Sequence, residues 1–303
     1  MKQKILVIGG NGFIGRNMVL RAISLGWDVT SLSLSGSGPK EVSCIAADIT
    51  DLSGLSAALS HMQYHYVVNC GGYIDHTLFG CGGRKIMESH FDGLLNLVKA
   101  LDRTALKSFV NIGSSDEYGN NPAPQREDCR ESPISPYSMG KLASSHFLQM
   151  LHRTEGFPGV TLRLFLTYGP GQDVKRFIPQ IIKGCLADTD FPVSLGEQLR
   201  DFCFIDDVVD AVFSVMSTKM AKGEVFNVGS GKSTSIKLLI NNICSKVGKG
   251  NPQFGELPYR VGENMNLYAD VQKIYDALGW VAKVSLNEGL ERTISSYKEI
   301  FHD

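Results

Sequence analysis

Neither sign of charge predominates in this chain: 30 Lys and Arg stand against 31 Asp and Glu, a net charge of −1. That balance leaves no long-range positive field to hold nucleic acid or an anionic membrane surface. Long apolar runs are missing too, and none approaches the ~18 residues that a bilayer-spanning helix needs. The first apolar run, Lys4–Ile8, is too short for a signal peptide and stops at once in glycines. The seven cysteines are scattered, odd in number and without a C-x-x-C pair. This argues against a disulfide framework or a zinc site, and each cysteine reads as a small apolar residue of the core. Internal repeats and low-complexity tracts are lacking. The expectations are a cytoplasmic protein with no metal, no nucleic-acid partner and no membrane association.

What is present is enough for one large α/β unit with an appended lobe: 303 residues, 43% of them hydrophobic. Short β-rich runs (Lys4–Ile8, Val29–Leu34, Tyr66–Asn69, Ser108–Ile112, Val160–Leu166) alternate with helical patterns (Gly12–Leu25, Phe91–Leu101, Ser138–Leu151). That order predicts an α/β fold with a doubly wound parallel Rossmann sheet. After Tyr168-Gly-Pro-Gly the texture changes. A Pro- and Gly-containing stretch over Phe191–Arg200 reads as loop, Phe226-Asn-Val-Gly as a short strand, and Val271–Leu278 and Leu286–Phe301 as helices. The expected division is a dinucleotide-binding domain over 1–168, with 201–230 returning to it, and a smaller C-terminal substrate-binding lobe over 169–303. Such a lobe covers the carboxyl ends of the strands, where doubly wound sheets bind ligands.

The segment Gly9-Gly10-Asn11-Gly12-Phe13-Ile14-Gly15 follows the first strand and opens the first helix. Glycines spaced by three permit a tight turn and let backbone N–H groups approach a pyrophosphate at the helix N-terminus. The plain alternative is a turn serving helix–strand packing alone. An acid at the end of the second strand would bind a ribose 2′-hydroxyl, but Ser33 stands there. NADP(H) is therefore favoured over NAD(H), with Arg16 or Lys40 within reach of a 2′-phosphate. Asp48, at the end of the next strand and followed by Ile49, is placed at the adenine; its bland role is a helix N-cap.

Tyr137-Ser-Met-Gly-Lys141 sets a phenol and an ammonium four residues apart, on one face of a helix. A nearby ammonium favours phenolate and so prepares a proton-transfer group. Ser114 and Ser115, at the carboxyl end of a strand, offer hydroxyls to a substrate oxygen. Asp116 and Glu117 follow directly, and paired carboxylates there suit an acid and a base.

Taken together in this order, the glycine loop, the strand-end Ser-Ser and the Tyr-x-x-x-Lys helix resemble the extended short-chain dehydrogenase/reductases that modify nucleotide sugars. Tyr168-Gly-Pro-Gly, Arg176-Phe-Ile-Pro179, the segment Gly196–Asp207 and Leu278-Gly-Trp extend the likeness over nearly the whole chain. The resemblance implies a catalytic set of Ser115, Tyr137 and Lys141, joined by Ser114. It implies a cofactor lined also by Cys70 and Gly71, Arg200 at the substrate diphosphate, Phe177 on the base or sugar, and a homodimer. Asp206 and Asp207 are expected to fix their loop or cap the next helix. This chain departs from the family's pattern at Asn69-Cys-Gly-Gly72, at Leu166 and at His90, where asparagines or alanines are usual. Three reactions share the machinery. NADPH-dependent reduction of a nucleotide 4-keto-6-deoxyhexose at C4 is expected, because the segment Gly113–Gly119 looks closest to such reductases. A 4-epimerase, and a 4,6-dehydratase using Asp116 and Glu117, are the alternatives, with a non-enzymatic dinucleotide sensor last.

Overall fold

The fold is described from a computed structural model covering residues 2–259 and 262–301. Strand β1 (Lys4–Ile8) leads through the glycine loop into helix α1 (Phe13–Ser24), and then to β2 (Asp28–Ser33) and β3 (Ser43–Ala46). Helix α2 (Leu52–Leu59) returns the chain to β4 (Tyr66–Asn69), on the other side of β1. A short helix α3 (Gly83–Met87), a single π-helical turn over Glu88–Asp92 and helix α4 (Gly93–Ala100) precede β5 (Ser108–Ser114). The long helix α5 (Pro136–Glu155) follows, and then β6 (Gly159–Leu164) and β7 (Leu166–Tyr168).

The remaining elements are α6 (Phe177–Ala187), β8 (Asp190–Val193), β9 (Leu199–Phe204), α7 (Ile205–Ser217), β10 (Val225–Val228), β11 (Ser233–Ser235), α8 (Ile236–Val247), β12 (Asn251–Phe254), β13 (Asn266–Leu267), α9 (Gln272–Leu278) and α10 (Leu286–Phe301). A seven-stranded parallel sheet has the order β10-β6-β5-β4-β1-β2-β3. The order reverses between β1 and β4, which opens the ligand crevice of a doubly wound sheet there. The Rossmann fold expected from the alternating pattern is present.

The near-continuous apolar runs of β1, β4, β5 and β6 are covered on both faces, as a parallel sheet requires. One core cluster joins α1, α7 and the C-terminal helices to the sheet; another packs α2, α4 and α5 against the opposite face. Over Phe191–Arg200 the structure corrects the loop reading. Strand β8 pairs with β12, and β9 is the hub of a small second sheet, bonded to β7, β11 and β13. Their partners lie tens of residues away, so no local periodicity marks them. Strand β10 lies in the large sheet beside β6. The cysteines divide: Cys185 and Cys203 are buried as expected, whereas Cys44 and Cys81 are exposed. No helix of the described residues is long and apolar enough to cross a membrane.

Candidate active site

The crevice between β1 and β4 is built by backbone contact. Gly9 has φ +71°, and a Cβ there would meet the Cys70 carbonyl oxygen at 2.8 Å. At Gly15 an added Cβ would lie 2.2 Å from the Gly9 oxygen. Only glycine therefore lets the loop fold onto the start of α1. Gly12 sits extended at the α1 N-cap, and no side chain caps that end, so the first amides of Phe13, Ile14 and Gly15 are left for a ligand. Such an arrangement of free amides at a helix start can hold a pyrophosphate. Cys70 and Gly71 close it from the β4 side, where Asn69 takes a bond from the Gly71 amide and donates to Asn111. Burial pushes the Cys70 thiol up to about 12, which leaves it an inert wall.

At the end of β2, the Asn11 side-chain amide donates to the hydroxyls of Ser33, Ser35 and Ser37 at 2.9–3.1 Å. The loop thus ties itself to the end of β2. Asp48 does not cap a helix. Its carboxylate accepts from the Thr50 amide and hydroxyl, and the cap of α2 is Asp51, which accepts from Ser53. Ile49 is buried and packs against the positions of Gly71 and Gly93.

Helix α5 begins cleanly. Pro136 occupies its first turn, and Ser135 and Ser138 bond reciprocally as a capping box. The helix thereby delivers Tyr137 and Lys141, both buried, beneath the carboxyl end of β5. Lys141 Nζ donates to the Ile112 carbonyl at 2.6 Å and lies 6.0 Å from the centre of the Tyr137 ring. Burial lowers the Lys141 ammonium to about 8, against the pull of Glu117 and Cys70. Burial pushes the Tyr137 phenol well up, and Asp116 adds to this; the nearby Ser114 hydroxyl opposes it, Glu117 raises the phenol further, and Arg176 draws it down. The strand-end hydroxyl that lowers the phenol is thus that of Ser114, which sequence reasoning set behind Ser115. Ser115 is buried in the first position of the turn that follows β5.

Two histidine rings stand edge-on to Tyr137. His90 is centred 5.0 Å away and His76 5.6 Å. His90 is 5% exposed and bonded through Nε2 to the Tyr73 carbonyl at 2.9 Å. Burial, with the Lys141 charge beside it, lowers the imidazole to about 3. His76 is half-exposed and lies 3.7 Å from the Asp116 carboxylate. Sequence reasoning missed His76 and passed over Arg176 as part of a longer motif. The available signal was their place: one follows β4, the other immediately precedes Phe177, and both segments meet at the carboxyl edge of the sheet.

Two expected site residues are placed differently. Glu117 is wholly buried and turned into the core, where Arg163 Nε meets it at 2.8 Å. It cannot share the cleft with Asp116 as a second acid or base, because a 3-10 turn over Ser115–Tyr118 points the two side chains apart. Arg200 is buried and paired with Glu263, while also donating to the Leu199 carbonyl. A diphosphate there has to compete with that carboxylate. Asp207 accepts the amides of Lys283 and Val284, and Asp206 pairs with Arg292, so both fix the start of α7 against the C-terminal segment. Phe177 begins α6 and is partly exposed, as is Leu166 on β7.

Comparison with known proteins adds the following. The model of the NAD dependent epimerase/dehydratase family matches residues 5–229. A protein of Xanthomonas campestris pv. campestris named dTDP-glucose 4,6-dehydratase is 28% identical over 326 residues, covering 96% of this chain and 92% of that one. The crystal structure of UDP-glucose 4-epimerase from Thermotoga maritima, holding UDP-glucose, superposes with a TM-score of 0.91 at 27% identity, over 99% of this chain and 100% of that one. UDP-glucuronic acid 4-epimerase from Bacillus cereus, solved with UDP-glucuronic acid and NAD, gives 0.87 at 27% identity, over 98% and 100%.

Proposed function

Because the chain belongs to the NAD dependent epimerase/dehydratase family, we propose that it acts on a nucleotide-linked hexose by reversible oxidation at C4, as a nucleotide-sugar 4-epimerase. The observation that carries this reading is the buried Tyr137 phenol beside Lys141 and near the Ser114 hydroxyl, at the edge of a glycine cradle, with Asp116 rather than Glu117 turned toward it. Elimination of water needs a second acid–base group, and Glu117 is locked in its ion pair. Structural neighbours named as 4-epimerases support the same choice.

The cradle of Gly9, Gly12 and Gly15 fits a dinucleotide, since any Cβ at Gly15 would close it. Bound there, a nicotinamide dinucleotide supplies a hydride acceptor and donor for C4. In this reading Tyr137 takes the proton from the C4 hydroxyl and later returns it, which is general base and then general acid catalysis. Ser114 holds the same oxygen. The Lys141 ammonium, with Arg176, offsets the burial that resists phenolate. We assign NAD rather than the expected NADP(H) as the resident cofactor. An epimerase returns its hydride within one catalytic cycle, and the Ser33, Ser35 and Ser37 hydroxyls, their oxygens bonded by Asn11, can donate to a plain ribose hydroxyl. The small sheet around β9, with Phe177, is assigned to cover the sugar nucleotide, and the assembly to a homodimer.

The reduction expected from the sequence would use the same three residues, but the relatives named above are epimerases and a dehydratase. Asp116, close to Tyr137 and His76, keeps a 4,6-dehydratase as the second reading. The test is incubation with UDP-glucose, UDP-glucuronic acid and dTDP-glucose, with products identified by NMR. A 4-epimer formed without net change of cofactor is expected. A 4-keto-6-deoxy product would move the assignment to dehydratase, and NADPH oxidation confined to 4-keto-6-deoxy sugars would restore the reductase. Inertness toward every sugar would sink all three.

A further inference from the structure

The Glu117 carboxylate is excluded from the cleft, yet it is the most heavily bonded acid next to it. Its Oε1 accepts from the Ser114 amide at 2.9 Å, while its Oε2 accepts from the Ser145 hydroxyl and from Arg163 Nε, each at 2.8 Å. These three donors sit on three elements. Ser114 ends β5, Ser145 lies on α5 one turn beyond Lys141, and Arg163 belongs to β6. The Ser145 hydroxyl also bonds the Lys141 carbonyl at 3.1 Å. One side chain thus joins the strand end that carries Ser114 to the helix that carries Tyr137 and Lys141.

The space for it is built in. A Cβ at Gly113 would meet Glu117 Oε1 at 2.6 Å, so the glycine before Ser114 is what admits the carboxylate. On the far side, Arg163 bonds Glu131 at 2.6 Å, and Glu131 lies 3.4 Å from His146. The guanidinium also covers the Tyr118 ring at 4.6 Å. A buried ion pair of this kind is poor evidence for stability, because desolvation offsets the attraction; its best-attested use is to specify one arrangement.

We propose that Glu117 is a positioning residue, which clamps β5 to α5 so that the Ser114 hydroxyl is held beside the Tyr137 phenol. The inference rests on the functional reading above for its kinetic consequence, but the clamp itself can be tested without turnover. Ser145→Ala cuts the link to α5 and leaves the Glu117–Arg163 pair intact; Glu117→Gln weakens all three bonds. For Ser145→Ala, melting close to wild type, unchanged KM and unchanged bound cofactor are expected, with kcat down about tenfold, the scale of one lost hydrogen bond in a transition state. Glu117→Gln should lose more. A folded Ser145→Ala protein with wild-type kcat would overturn the clamp, even if Glu117→Gln fails to fold. The crystal structure of Ser145→Ala is the second readout. The Ser114 hydroxyl and the Tyr137 phenol should stand further apart there than in the wild-type protein, and an unchanged separation refutes the proposal. A wild-type protein inert toward all nucleotide hexoses would remove the functional reading, while the crystal comparison would still decide this one.

Discussion

Replacing His90 by Asn should flatten the acid side of the protein's stability profile by about 2 kcal/mol. The environment of the ring sets the size of this effect. His90 is 5% exposed, its Nε2 is bonded to a carbonyl, its ring packs edge-on to Tyr137, and Gly72 leaves no room for solvent, since a Cβ there would stand 2.3 Å from the ring. The Lys141 charge nearby disfavours a second positive charge, and the imidazole is lowered to about 3 from its usual 6.5. The sign follows from linkage. Between those two values the unfolded chain binds a proton that the native protein does not, so stability falls as pH drops below 6.5. Each pH unit costs about 1.4 kcal/mol once well below 6.5, so going from pH 7 to pH 5 removes about 2 kcal/mol. His90→Asn itself destabilises by leaving a gap, but that loss does not depend on pH. The assay is urea unfolding of both proteins at pH 7 and pH 5, comparing the pH-dependent difference. Equal pH dependence in the two proteins would refute the argument, since the ring would then be titrating freely in the native state.

Three further outcomes follow from the site. Tyr137→Phe should lower kcat by at least ~10² with bound cofactor unchanged; retained turnover would remove the proton-transfer role. Gly15→Ala places a methyl 2.2 Å from the Gly9 oxygen, so the purified protein should lose its nicotinamide absorbance or fail to fold, and full cofactor content would show that the loop gives way. Ser33→Asp should raise the preference for NAD over NADP by about tenfold or more in equilibrium binding, because a carboxylate accepts from a ribose hydroxyl and repels a phosphate; an unchanged ratio would mean that the ribose is read elsewhere.

The legible parts of the molecule were those governed by neighbours in sequence. The glycine loop, the five parallel strands around it and the Tyr137/Lys141 face are set by spacing within one element. The Pro136 and Ser135 start of α5 is equally local. What was illegible depended on distant partners. Glu117 looked like a cleft carboxylate because Asp116 precedes it, and nothing near it announced Arg163, 46 residues further on. Arg200 looked available to a diphosphate because Glu263 lies 63 residues away. Strands β8 and β9 were hidden among prolines and glycines for the same reason. The bland role of Asp48 as a helix cap fails at shorter range: Asp51, three residues on, offers the same chemistry and caps α2 instead.

The last strand of the large sheet has a consequence for anyone who would exchange parts of this enzyme. Strand β10 reaches β6 only after the chain has passed through β7, β8, β9 and α7. Cutting the chain after Tyr168 would therefore strip β6 of its neighbour and expose a row of unpaired backbone amides and carbonyls on a strand that is otherwise buried. Sugar specificity cannot be swapped by a single cut and splice. A chimera needs two junctions, one after β7 and one before β10, with a third choice to be made for the stretch beyond β10 that supplies β11 and β13 to the same small sheet.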